Sequence, residues 1–223
     1  MQGKKPREHP ARPGWYNQSG DSTIQGFQGS DDVDYVRHVS QSLLRDMVFG
    51  GISPDLMTSQ GILLRLSIQT DRPVFVVIIH LTSRFPLESA AWLLTRKAFY
   101  PTRLAMAGWQ YEAFPMSYNE LVAFIQPSRQ DDPLLFDTLA ELLNSLQMEY
   151  YAATGARTVL GLSDRATLVH RTSSTIQALH SMILDGQKQG GSNSIFILNE
   201  ENGRKTMLDS ATHPSKTRIC IIA

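Results

Sequence analysis

Val74-Phe-Val-Val-Ile-Ile79 decides the architecture. Five of these six residues are β-branched and none is polar, so the run offers no face to water and reads as a central strand covered on both sides. Crossing a bilayer takes about 20 apolar residues, and no longer apolar run occurs elsewhere in the chain, so no transmembrane helix is expected.

Just upstream, Leu64, Leu66 and Ile68 alternate with Arg65, Ser67 and Gln69, the period-two pattern of a strand with one wet face. Thr70-Asp-Arg-Pro73 between the two runs predicts a hairpin, with Asp71-Arg72 as turn chemistry. Further upstream, Asp31, Asp32 and Asp34 place negative charge at a helix N-terminus. Val36, Val39, Leu43, Leu44 and Met47 form its apolar stripe, and Gly50-Gly51 ends it.

Downstream, Pro86 opens a helix that runs to about Ala98 and is stopped by Pro101. Ser117 and Glu120 fit a capping box ahead of Leu121-Val-Ala-Phe-Ile125. Asp131-Asp132-Pro133 launches the longest helix, with Leu135, Leu139, Leu142, Leu143, Leu146 and Tyr150 at helical spacing until Gly155. Thr158 to Leu162 reads as a short strand. Ser163 is then the N-cap of a helix carrying Leu168, Thr172, Ile176, Leu179 and Ile183 inward, with a break at Ser173-Ser174-Thr175. Ser194 to Leu198 and Arg204 to Leu208 flank Asn202-Gly203, which predicts a β-hairpin.

These elements predict an α+β fold: a single domain at residues 31–209, with a mixed or antiparallel sheet packed by several helices. Residues 1–30, rich in Gly, Pro, Gln and Ser, read as a disordered arm without a secretory h-region, and Gln2 precludes N-myristoylation. Residues 210–223 read as a flexible tail.

The composition narrows the function. The chain has 223 residues, 21 basic and 21 acidic, so no broad positive field marks it as a nucleic-acid binder. Its one cysteine excludes disulfide scaffolds and Cys-rich zinc sites, which points to a cytoplasmic setting. The six histidines show no metal-ligand spacing, so no metal or cofactor is expected. The G-x-x-x-x-G-K-[ST] phosphate loop and the G-x-S-x-G elbow are both absent, and the chain reads as non-enzymatic rather than enzymatic.

That cysteine lies in Cys220-Ile221-Ile222-Ala223, a match to the CaaX prenylation signal in which a terminal Ala favours farnesyl. A single isoprenoid gives reversible attachment, and Arg204, Lys205, Lys216 and Arg218 add only a sparse membrane-facing positive patch. Stable residence therefore asks for a protein partner or a homo-oligomer. The competing reading of the same residues is an ordinary strand, Arg218 to Ile222, added to the sheet edge. A second short pattern, Tyr100-Pro101-Thr102-Arg103-Leu104, resembles the YPx(n)L late-domain peptides of viral structural proteins.

The expectation is a non-catalytic, peripheral-membrane interaction protein, held at a cytoplasmic membrane face by a farnesyl group and binding a further protein. The alternatives are a viral matrix-like or accessory structural protein, and a soluble enzyme or ligand-binding domain with an incidental C-terminus. A pocket converging on His80, Arg65 and Asp71 would favour the enzyme.

Overall fold

The computed structural model describes residues 30–50, 66–82, 99–128, 134–188, 194–199, 205–209 and 219–222. In chain order the elements are α1 (Ser30–Val48), β1 (Phe75–Leu81), α2 (Tyr100–Met106), β2 (Trp109–Ser117), β3 (Glu120–Pro127), α3 (Leu135–Thr154), β4 (Thr158–Ser163), α4 (Ser173–Lys188), β5 (Ser194–Leu198), β6 (Lys205–Asp209) and β7 (Ile219–Ile222). The fold is α+β, as the sequence predicts.

The seven strands among the described residues form one mixed sheet in the order β2-β3-β1-β4-β5-β6-β7. β1 is central, and every one of its residues is buried. Its side chains alternate between two cores. Phe75, Val77, Ile79 and Leu81 join Tyr100, Leu104, Leu139, Leu143 and Tyr150 from α2 and α3. Val76 and Ile78 join Leu44, Met47, Ile176, Leu179 and Ile183 from α1 and α4. Helices therefore cover both faces, which is why the strand carries no polar alternation.

The first four strands pair antiparallel throughout. With α2 between β1 and β2, and α3 between β3 and β4, they make the split β-α-β-β-α-β arrangement. α4 then carries the chain over the sheet, so β5 lies parallel to β4. β6 and β7 follow antiparallel to an edge at β7. α3 ends where Gly155 takes φ +70°, the left-handed cap expected of it.

Four local expectations are corrected. Residues 66–68 are bends, and no hairpin joins them to β1, because β3 and β4 already occupy both of its edges. Their alternation has another cause: Ile68 is buried in the α1/α4 core while Ser67 N–H donates to Glu112 Oε2 (3.1 Å) and Gln69 N–H to Gln126 Oε1 (2.9 Å). Pro101 sits in the first turn of α2, a place where its missing N–H costs nothing, while the helix it was expected to stop lies outside the described residues. Ser117 and Glu120 are not a capping box. They end β2 and begin β3, and Leu121 to Ile125 is a second doubly covered strand. Ser163 closes β4, with its Oγ accepting from Val76 N–H at 2.9 Å, and α4 starts only at Ser173, after a 3-10 turn at Val169–Arg171. Finally, Ile219–Ile222 forms β7, so the sheet continues past residue 209, and the part of the tail read as flexible that lies here is strand.

Residues 1–29, Leu64, Arg65, Pro86 to Ala98 and the Asn202-Gly203 turn lie outside the described residues. Among the described residues, no helix is long and apolar enough to cross a membrane.

Candidate functional site

The β2-β3 hairpin turns through Tyr118 and Asn119, and Ser117 pairs with Glu120 across it. Glu120 pairs in turn with His80, the penultimate residue of β1, so the two side chains emerge side by side on one face of the sheet. α4 crosses that face and brings His180 to the same point. His80 Nδ1 lies 3.1 Å from Glu120 Oε2, and His180 Nδ1 lies 2.8 Å from Oε1. The carboxylate is 2% exposed, whereas the His180 side chain is 35% exposed and forms the outer wall of the cluster.

Burial pushes the Glu120 carboxyl up. The hydrogen bonds from His80 and His180, with the charge of both rings, more than offset that and hold it below its ordinary value of 4.5. Glu120 is therefore ionised at neutral pH and can only accept. Both histidines must donate through Nδ1–H, which fixes their tautomers. In neutral His80 the remaining nitrogen, Nε2, is an acceptor, and Asn119 Nδ2–H donates to it at 3.1 Å. Asn119 Oδ1 accepts from Ser117 Oγ at 2.8 Å, and its backbone carbonyl accepts from Leu81 N–H at 2.8 Å. Donors and acceptors alternate along the whole chain Ser117, Asn119, His80, Glu120, His180.

This geometry anchors more than it reacts. Both Glu120 oxygens are engaged, and the described residues contain no group of three or more His, Cys, Asp or Glu placed to hold a metal. What the network does hold is the turn, whose Tyr118 side chain is 87% exposed at its tip.

The residues singled out from the sequence lie elsewhere. Tyr100 and Leu104 are fully buried at the start of α2, where the Tyr100 ring packs on Phe99 and Tyr150, and burial pushes its phenol well up. A late-domain peptide is free and extended, whereas Tyr100, Pro101 and Leu104 lie in α2 with Tyr100 and Leu104 buried. Cys220, Ile221 and Ile222 lie in β7 opposite Met207, Thr206 and Lys205 of β6. Arg204, Lys216, Arg218 and Ala223 lie outside the described residues. His80 does sit at a polar convergence, but its partners are Glu120 and Asn119, with His180 on the other Glu120 oxygen. Asp71 is exposed in a turn, and Arg65 is outside the described residues.

Sequence reading missed Glu120, Asn119 and His180. The available signal was Tyr118-Asn119 between apolar runs, since Asn is a turn residue. Comparison with protein families, curated proteins and solved structures finds no match.

Proposed function

We propose that this chain is a non-catalytic protein-interaction domain that docks through the β2-β3 hairpin end of its sheet. The observation carrying this reading is the Glu120 cluster: a buried carboxylate with one oxygen on His80, which bonds Asn119 of the turn, the other oxygen on His180 of α4, and an 87% exposed tyrosine at that turn. Preorganised aromatic side chains bind well because little freedom is lost on contact, and tyrosine is enriched among interface anchors. An enzyme would need a reactive atom open to substrate. Glu120 is buried with both oxygens committed to histidine N–H groups, so it offers no such atom.

A membrane address through Cys220 belongs to this proposal only as a conditional second part. Prenylation acts on an accessible, extended cysteine, and pairing of β7 with β6 withholds that geometry until β7 leaves the sheet. With Tyr100 and Leu104 buried in α2, the YPx(n)L-like pattern lends no support to the viral reading.

The test is site-specific photo-crosslinking in the source cell, with a photoreactive residue at Tyr118 and, as control, at Met106. Met106 is also exposed but lies at the opposite end of β2. A discrete protein adduct from position 118, absent from 106, supports docking at the hairpin; adducts from 106 alone overturn it.

A further inference from the structure

We propose that β7 is a self-recognition edge, along which two copies of this chain join antiparallel into one continuous sheet. An open strand edge presents unpaired N–H and C=O groups, and folded proteins blunt such edges with proline, bulges or charge. The two edges of this sheet differ in that respect. β2 carries Pro115, and its register is broken by a bulge between Pro115 and Ser117. β7 is Ile-Cys-Ile-Ile, with no charge, proline or glycine, and its register against β6 is regular from Leu208 opposite Ile219 to Lys205 opposite Ile222. Among the described residues, β6 is its one strand neighbour.

The same contrast selects the occupant. Joining β7 to the β2 of a next copy would propagate as an open filament and would have to seat on the blunted edge. Two β7 edges meet across a two-fold axis, which closes after two copies and leaves both β2 edges outside. The match is also electrically neutral, since an uncharged strand opposite itself sets no like charges face to face. Backbone geometry then restricts the register. The N–H and C=O of one strand residue point to one edge and those of the next residue to the other, so facing residues of a two-fold pair lie an even number of positions apart, and one residue stands opposite its own copy. Within Ile219–Ile222, placing Cys220 or Ile221 on the axis pairs the most residues. A contact this short falls in the transient class, below about 1,200 Å² of buried surface, so the dimer is concentration-dependent. β7 lies at the far edge of the sheet from the β2-β3 hairpin, so the pairing goes beyond the docking reading and either claim can fail alone.

Sedimentation equilibrium of the full chain, from low micromolar to near-millimolar concentration, tests it. The mass should rise from 24.9 kDa toward twice that value. A short bismaleimide should join two copies through Cys220, the chain's one cysteine, which reads the edge without any variant. Ile221→Lys and Cys220→Lys should each hold the mass at one copy with unchanged circular dichroism, because a charge then faces its own copy. Met106→Lys, at an exposed site on α2, should still dimerise. A mass fixed at one copy at every concentration, a dimer that neither lysine weakens, or doubling without linkage through Cys220 would each overturn the pairing.

Discussion

His180 reaches Glu120 across 60 residues of sequence, Nδ1 to Oε1 at 2.8 Å, and thereby ties α4 to the first residue of β3. His80 takes the other oxygen at 3.1 Å. The contact joins a helix, two central strands and a turn in one hydrogen-bonded unit.

Glu120→Gln should destabilise the domain at neutral pH by about 1.5–3 kcal/mol, the scale of a charged hydrogen bond. Gln has one acceptor oxygen and an NH2, so one histidine N–H would face a donor. The sign with pH follows from the lowered carboxyl. Its contribution is fully present above the ordinary value of 4.5 and is lost as pH falls through the lower folded value, because the unfolded chain takes up the proton first. Urea unfolding of both proteins should show a stability gap that narrows as pH drops below 4.5. A gap constant through that range would contradict the assignment.

Gly186→Ala should cost about 1–3 kcal/mol as overpacking. A Cβ there would run into the ring of Phe196, with no room on the α4-β5 contact. Thermal unfolding checks it, and Gly186→Ala combined with Phe196→Leu should recover part of the loss.

Gln126→Met should cost about 1–3 kcal/mol, because it strips a buried carboxamide from the approach to β1. Gln126 accepts from Gln69 N–H and donates to the Gln69 carbonyl, both at 2.9 Å. Amide exchange at Gln69 should accelerate more than at β1 amides. Equal acceleration would mean the segment is held by apolar packing alone.

The parts of the fold that were legible are those where one physical signal acts alone. Val74 to Ile79 is apolar on both faces and five of its six residues are β-branched, which selects a covered strand over a buried helix, and the Leu135 to Tyr150 spacing with Gly155 behind it selects a capped helix. Leu121 to Ile125 was misread because five apolar residues fit a buried helix or a buried strand equally, and Ser117 with Glu120 tipped the choice the wrong way. Leu66 to Ile68 alternates because a bend rests one side on the core, which period alone cannot tell from a ladder. The site was illegible because its three charged or titratable members come from β1, β3 and α4, and no local spacing connects positions 80, 120 and 180.

The Cys220 tetrapeptide gives a further outcome. With β7 paired to β6, the folded chain should accept farnesyl from farnesyl diphosphate and farnesyltransferase more slowly than a peptide of residues 210–223. Mass spectrometry of both reactions reads the difference. Equal rates would show that β7 leaves the sheet readily.

The most direct test of the central claim, that the buried Glu120 exists to hold the hairpin, is hydrogen exchange at the Leu81 amide. That amide donates to the Asn119 carbonyl at 2.8 Å, whereas Val74 N–H donates to Thr167 at the other end of β1, also at 2.8 Å. Under native conditions, Glu120→Gln should accelerate exchange at Leu81 by about tenfold or more relative to Val74, the factor that corresponds to roughly 1.4 kcal/mol of lost local protection. Acceleration of both amides by the same factor, or of neither, would contradict the account.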